Sequence, residues 1–407
     1  MMRRWYRAAA VLVVTLGLAG MAVGQPKTTN YLSQRTHRLM EDVHKAMDAE
    51  NFVKAEAILT DIMESRRSSA FEKAVVWRTR GYIAAQQADY AGAVTAFRNA
   101  VESEVLEARA QNDLLFNIGQ LYLAEGAHAQ AIQWLTHWRD AEDVPSGQGL
   151  MTLASALAQD DQVEAAREAA LAALGSGDTP RPDWYNFAAT SAARLKDYDD
   201  AADLLKQGLL IYPDQPALWV QLAAVLAEQG RYGPALAVLQ IAESKGFLDQ
   251  PHQVTFLGQL SLDQGVPALG ARVVAAARQD GRMEETVPML DLLSTLWTAA
   301  REREPAMTAL ADAAPKARHG RLWVRLGQMQ MGDEDWSAAV GSYAAALDAG
   351  GLTNEGAARL NHAIALAKSG RNDDALSAFR RARRFNGVAE TANAWITDLT
   401  GGKRATN

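Results

Sequence analysis

Large and small apolar residues recur every three or four positions through most of this chain, most clearly between positions 77 and 100. They alternate there in the order Trp77, Gly81, Tyr90, Ala93, Phe97, Ala100. Spacings of three and four place such residues on one face of an α-helix. The segment therefore predicts two amphipathic helices joined by a short turn, with small residues where the two helices cross closely.

The same pattern returns along the chain at intervals of 33 to 38 residues. We follow it by the small residue near the start of each second helix, which we call the rung residue. The predicted rung residues are Ala55, Ala93, Ala131, Ala165, Ala201, Ala235, Gly270, Ala306, Ala339 and Ala375. One hairpin cannot bury its own apolar face, so each needs a neighbouring hairpin on both sides.

A unit of about 34 residues with this order of large and small positions resembles the tetratricopeptide repeat. The resemblance implies an all-α, right-handed α-solenoid of about ten helix-turn-helix repeats. A last apolar helix, near residues 388–399, carries Trp395 and Ile396 and is predicted to cap the stack, because terminal repeats need a cover.

Turn-forming residues suggest how the repeats are grouped. The segment 175–182 is rich in glycine and proline, so we predict repeats one to four over residues 25–175 and repeats five to ten plus the cap over 176–400. The alternative is a long loop within one continuous stack. Residues 401–407 are predicted to be a disordered tail.

The N-terminus has the pattern of an export signal. Arg3, Arg4 and Arg7 precede an apolar run over residues 8–23, and the small residues Ala22 and Gly24 flank a cleavage site. We predict a signal peptide over residues 1–24 and a periplasmic protein, not integral to the membrane after cleavage. The alternative is an uncleaved membrane anchor. Cleavage would change the formal net charge from −7 to −10 by removing three arginines, which disfavours nucleic acid as a partner.

No pattern of catalytic residues emerges. The chain has no cysteine and its seven histidines are scattered, without the pairing that a zinc site on a helix requires. Acidic pairs such as Asp160–Asp161 and Asp199–Asp200 fall in predicted turns, where aspartate caps a helix. We predict no enzyme activity, no cofactor, no metal and no small-molecule substrate.

The polar residues on the first helix of each repeat are the candidates for binding, since that helix lines the concave face of the tetratricopeptide fold. The predicted peptide-binding residues are Arg78, Tyr82, Phe116, Asn117, Gln120, Asn186, Thr190, Arg194, Arg321, Arg325 and Gln328. Arg321 and Arg325, with Arg318 nearby, favour an acidic peptide or another carboxylate.

Some members of the superfamily hold a carboxylate with lysines and asparagines at fixed positions of three consecutive repeats. Arg321 and Arg325 are similar to the basic pair of the third such repeat. The preceding repeats carry Thr255, Gln259 and Leu292 where lysine or asparagine belongs. Binding of chaperone C-termini is therefore not predicted.

A narrower resemblance concerns residues 25–65, which begin QPKTTNYLSQRTHRLMEDVHKAMDAENFVKAEAILTDI. This stretch, directly after the signal segment, is similar to the start of periplasmic repeat proteins associated with TonB–ExbB–ExbD systems. The resemblance implies a non-enzymatic scaffold with TonB-, ExbB- or ExbD-type protein partners. The alternative is an assembly factor for an outer-membrane or polysaccharide-export machine.

Overall fold

Helix follows helix through the part of the chain that the structure describes. The computed structural model describes residues 31–404, and in that range it contains 21 α-helices, one short 3-10 helix and no β-strand. The chain forms two compact units that divide between Pro213 and Asp214. The predicted signal segment, residues 1–24, lies outside the described residues.

The first unit contains five helical hairpins. Their helices are α1 (Gln34–Asp48), α2 (Phe52–Glu64), α3 (Ala70–Gln86), α4 (Tyr90–Glu102), α5 (Ala108–Ala124), α6 (His128–Ala141), α7 (Gly147–Gln159), α8 (Val163–Leu174), α9 (Pro182–Arg194) and α10 (Tyr198–Ile211). Each second helix packs against the first helix of its own hairpin and of the next hairpin in the unit. The five hairpins therefore form one continuous stack.

The second unit contains five further hairpins and a final helix. Its helices are α11 (Pro216–Glu228), α12 (Tyr232–Ser244), α13 (Pro251–Asp263), α14 (Pro267–Gln279), α15 (Val287–Ala299), α16 (Arg303–Ala313), α17 (Arg321–Gly332), α18 (Trp336–Ala349), α19 (Glu355–Lys368), α20 (Asn372–Ala382) and α21 (Ala389–Arg404). Neighbouring helices pack in chain order from α11 to α21. The predicted all-α solenoid of ten tetratricopeptide-like hairpins is confirmed.

The rung residue is the fourth residue of every second helix. Nine of the ten predicted rung residues occupy this position and are buried. Repeat four is the exception, since α8 begins at Val163 and its buried fourth residue is Ala166, whereas Ala165 is half-buried. The assignment of Ala165 was wrong by one residue.

Small residues twelve positions before the rung let the two helices of a hairpin approach each other. A Cβ atom added at Gly81 would lie 2.3 Å from the ring of Phe97, and one added at Gly327 would lie 2.9 Å from the ring of Tyr343. Both rings are almost fully buried. Full burial of such a side chain contributes roughly 1.5–3 kcal/mol, so the close crossing stabilises each hairpin.

The turn within each hairpin has the same backbone geometry in all ten repeats. The residue five positions before the rung has a positive φ, from Glu50 (53°) to Gly370 (82°). The next N–H group donates to a carbonyl five residues earlier, as Asp89 does to Ala84 at 2.9 Å. These two features define the Schellman ending of a helix, which satisfies its last carbonyl groups.

The capping pattern of the second helices differs in part from the prediction. Asp197 caps α10, accepting a hydrogen bond from the N–H group of Asp200, whereas Asp199 and Asp200 lie in the first turn. Asp161 takes the positive-φ position of its turn, and α8 has no side-chain cap. The expected capping role of both acidic pairs, Asp160–Asp161 and Asp199–Asp200, was therefore wrong.

The segment 175–182 lies inside the first unit and connects α8 to α9. Asp178 accepts a hydrogen bond of 2.6 Å from the N–H group of Gly147 at the start of α7, and the hydroxyl of Tyr212 donates to the carbonyl of Pro180. Helices α8 and α9 pack against each other across this segment. The stack continues through the loop.

Helix α21 covers the last hairpin of the second unit. The ring of Trp395 stacks on that of Phe379, with centroids 5.5 Å apart and an interplanar angle of 10°. Ile396 and Leu399 pack against the same apolar cluster. The predicted cap is therefore present. The helix extends to Arg404, and the remaining tail residues 405–407 lie outside the described range.

Candidate functional site

The eleven predicted binding residues lie on one face of the first helices. Counted back from the rung residue of their own repeat, they stand 18, 15, 14, 11 or 7 positions earlier. At about 100° per residue, these five positions span only about 100° of the helix circumference. We call this surface the first-helix face. It is carried by α3, α5 and α9 in the first unit and by α17 in the second.

Tyr82 and Asn117 connect this face between repeats two and three. The amide of Asn117 donates to the Tyr82 hydroxyl at 3.5 Å, and the Tyr82 ring stands edge-on to Phe97 with centroids 5.1 Å apart. Burial raises the pKa of the Tyr82 hydroxyl, outweighing the opposing effect of nearby Arg78. The hydroxyl therefore keeps its proton at neutral pH and remains a hydrogen-bond donor.

Phe116 contributes to packing as well as to the surface. Its half-buried ring lies 5.0 Å from the ring of Trp138, centroid to centroid. Trp138 in turn covers Gly149 on the next helix, where an added Cβ would lie 2.0 Å from the indole. Phe116 therefore presents only part of its ring to a partner, and Gln120 beside it is also half-buried.

Helix α9 contains two buried polar atoms without a hydrogen-bond partner among the described residues, Nε1 of Trp184 and Oδ1 of Asn186. Buried polar atoms are nearly always bonded, so these two are exceptions, and both lie beneath the surface that a partner would contact. Thr190 donates to the backbone carbonyl of Asn186 at 2.7 Å, and Arg194 pairs with Asp161 in the preceding turn at 2.6 Å.

Arg321 and Arg325 on α17 share one carboxylate of the protein itself. Nη2 of Arg321 lies 2.5 Å from Oδ2 of Asp291, and Arg325 bonds the other oxygen of that carboxylate. Arg325 also donates to the hydroxyls of Ser294 and Thr295 at 3.2 and 3.3 Å. The basic pair is therefore partly neutralised from within.

Asp291 is not among the predicted binding residues, although its position contains a usable signal. Asp291 stands fifteen positions before its rung Ala306, as Arg78 does before Ala93. It therefore belongs to the first-helix face, next to Leu292, which was compared with the carboxylate-holding repeats. The side chain of Arg321 is 67% exposed against 26% for Arg325, so Arg321 is the accessible member of the pair.

A second concave feature lies in the first unit, away from this face. A cleft of about 960 Å³ is bounded by α2, α3 and α4. Arg80 lies in it, paired with Glu56 at 2.5 Å, bonded to the Thr60 hydroxyl at 2.8 Å and placed 5.3 Å from the ring centre of Trp77. The ion pair with Glu56 and the hydrogen bond to Thr60 therefore hold Arg80 within the protein.

Two further properties concern residues 31–404. In that range no group of three or more His, Asp or Glu side chains is arranged to hold a metal ion. None of the helices described there combines the length and the apolar character needed to cross a bilayer.

Stacked hairpins with a polar face on their first helices define a class of repeat proteins that bind other proteins. One profile described as tetratricopeptide repeat matches residues 78–145, 151–216 and 324–391. A second profile of the same description matches residues 192–260. The chain belongs to the tetratricopeptide repeat superfamily, whose members generally mediate protein–protein interactions.

Several solved structures share the fold. The MamA protein is 20% identical over 43% of this chain and 92% of its own, with a TM-score of 0.39. A tetratricopeptide repeat protein from Parabacteroides merdae is 14% identical over 74% of this chain and 100% of its own, with a TM-score of 0.39. Pseudomonas aeruginosa pilF is 17% identical over 51% and 92%, with a TM-score of 0.38. At these identities the similarity is one of fold alone. No curated protein sequence matches the chain.

Proposed function

We propose that the protein is a non-enzymatic periplasmic scaffold that binds a protein partner on its first-helix face. The observation that carries this proposal is the alignment of the eleven residues within about 100° of helix circumference. Within each unit they present amide, hydroxyl and guanidinium groups on the same side of their helices. An extended peptide requires such a series of donors and acceptors, because its backbone groups recur at regular intervals.

The helices hold these groups in place before a partner arrives. Each first helix packs against the second helix of its own hairpin, whose rung residue is buried. A preformed surface lowers the ordering cost of binding. Of the two arginines on α17, Arg321 keeps the more exposed guanidinium.

For the biological setting, we propose an accessory role in a TonB–ExbB–ExbD type energy-transduction complex. Two observations support it: the export pattern of residues 1–24 and the resemblance of residues 25–65 to proteins associated with these systems. The partner would then be a periplasm-facing segment of a TonB-, ExbB- or ExbD-type component. Neither nucleic acid nor a small molecule is required.

Mild crosslinking in cells that export the full chain, followed by affinity capture and mass spectrometry, tests this role. We expect TonB-, ExbB- or ExbD-type proteins among the captured partners. The double variant Arg321→Glu with Arg325→Glu should capture less of the partner at unchanged helicity, while the control Arg66→Glu with Arg67→Glu should not.

Two results would contradict the proposal. Capture of no inner- or outer-membrane transport component would refute the energy-transduction role. Recovery of outer-membrane assembly or polysaccharide-export proteins instead would favour the alternative of an assembly factor. Equal capture by both double variants would exclude the basic pair from the binding surface.

A further inference from the structure

A dense group of arginines lies at the end of α20, on the last hairpin of the second unit. Arg380, Arg381, Arg383 and Arg384 occupy four of five consecutive positions, and all four are exposed. None forms an ion pair with a described carboxylate. We call these four residues the arginine patch. It belongs to a second helix, so it is distinct from the first-helix face.

Arg380 and Arg381 lie in the last turn of α20, whereas Arg383 and Arg384 directly follow the end of the helix at Ala382. All four side chains are exposed, while Ala382 between them is buried, as are Phe379 and Ala378. The patch is therefore a run of exposed guanidinium groups with no exposed apolar side chain among them.

Helix termini explain only part of this charge. Cations near a helix C-terminus are favourable because they face the negative end of the helix dipole. Among the nine other second helices, only α6 and α14 carry a basic residue in the last turn, and each carries a single one, Arg139 and Arg278. Seven second helices end with none, whereas α20 has two in its last turn, Arg380 and Arg381, and two more directly after it.

The positive potential of this region reaches the neighbouring helix. His362 on α19 is half-buried, and burial lowers its pKa. The charges of Arg381, Arg371 and Arg359 lower that pKa further, against the opposing effect of Asp374. Of the patch, Arg381 is therefore near enough to His362 to affect its pKa.

We propose that the arginine patch is a second docking site, which binds an acidic segment of a polypeptide partner. Guanidinium groups bind carboxylates through paired hydrogen bonds. Because the four groups are divided between the last turn of α20 and the residues that follow it, a flexible chain with several carboxylates adapts to all of them better than a flat surface does.

Two other polyanions fit the patch less well. Membrane-binding helices combine cations with exposed apolar side chains, and no large exposed apolar side chain lies beyond Val266 in the described chain. Proteins that bind single-stranded nucleic acid supply aromatic rings for base stacking. The nearby Phe385 and Trp395 are instead packed against the protein. An acidic polypeptide is the partner that the patch favours.

Fluorescence anisotropy with a labelled decaglutamate peptide and the full chain tests this site. The test variant is R380Q/R381Q/R383Q/R384Q. The matched control is R66Q/R67Q/R231Q/R272Q, which removes the same charge from exposed positions elsewhere. We expect the patch variant to bind the peptide at least about tenfold more weakly than wild type, since four exposed ion pairs are lost, and the control to bind within about twofold.

Further measurements distinguish a loss of binding from a loss of folding, and a polypeptide partner from other polyanions. Circular dichroism of the patch variant should match wild type, and the variant R380K/R381K/R383K/R384K, which keeps the charge, should recover most of the binding. Equal affinities of the patch variant and the control would overturn the proposal. So would patch-dependent binding to phosphatidylglycerol vesicles or to oligothymidine without binding to the peptide.

Discussion

Glu72 ties the first two repeats together through a buried carboxylate. Its side chain is 3% exposed and accepts hydrogen bonds from the N–H groups of Ser33 at 2.9 Å and Ser69 at 2.8 Å. Ser33 caps α1 and Ser69 caps α3. One carboxylate therefore secures the start of two helices.

The protonation of Glu72 is linked to stability. Burial raises its pKa, but hydrogen bonds from Thr36, Ser69 and Ser33 outweigh burial and lower the pKa from the ordinary 4.5 to about 2. The difference corresponds to about 3 kcal/mol of unfolding free energy. Because the folded-state pKa is the lower one, this stabilisation is complete above pH 4.5 and is lost as the pH falls through about 2.

We therefore predict that Glu72→Gln lowers the local free energy of opening by about 3 kcal/mol at pH 7. The neutral amide keeps the shape of the side chain but presents an N–H group where the backbone N–H groups need an acceptor. Hydrogen exchange of the α1 and α3 amides measures the effect, because repeat proteins open locally. Below pH 4.5 the difference from wild type should shrink steadily.

Glu64→Gln is the matched control, since Glu64 is exposed at the end of α2. It should leave exchange in α1 and α3 unchanged at every pH. Two results would refute the reasoning: an effect of Glu64→Gln as large as that of Glu72→Gln, or a Glu72→Gln effect that does not depend on pH.

Three further predictions concern the turns, the crossings and the basic pair, and urea denaturation checks each. Ala88→Gly should raise the free energy of unfolding by about 0.5–1 kcal/mol, because φ of Ala88 is 58°; Gly126→Ala should lower it. Gly81→Ala should lower the free energy of unfolding by about 1–3 kcal/mol, since the new Cβ would lie 2.3 Å from the ring of Phe97. Asp291→Asn should lower it by about 1 kcal/mol by leaving Arg325 without its carboxylate; unchanged midpoints would contradict these assignments.

The repeat architecture was predictable because helix crossings constrain residue size. Where two helices approach, only small residues fit, and these recur at a period that periodicity analysis detects. In repeat four, Ala165 and Ala166 are adjacent alanines of the same size. Composition does not distinguish them, and only the start of α8 at Val163 shows which one is buried.

The first-helix face was predictable as a set of positions but not as a set of contacts. Helical spacing alone aligns the eleven residues. The partners that satisfy them lie in other repeats, as Asp291 does for Arg325 and Asp161 for Arg194. Those pairings depend on loops of variable length between the repeats, which periodicity does not specify. The binding role of the face stays a prediction.

The turn geometry was only partly visible in the sequence. Positive φ favours glycine, and glycine stands five positions before the rung in four of the ten repeats, including Gly126 and Gly230. The other six use residues such as Lys196 and Arg301. In those repeats the packing of the two helices determines the backbone conformation of the turn, so no local residue type predicts it.

In every repeat the turn lies at the same distance before the rung residue, so each position can be identified by its distance from the rung. Positions with the same count are equivalent in all ten repeats, as Tyr82, Gln120, Thr190 and Gln328 are at eleven residues before the rung. The chain has no native cysteine. A single cysteine introduced at any of these positions is therefore the only site that a thiol-reactive label modifies. A partner that changes the signal of labels at equivalent positions in successive repeats lies along those repeats. A partner that changes the signal in one repeat alone contacts only that repeat.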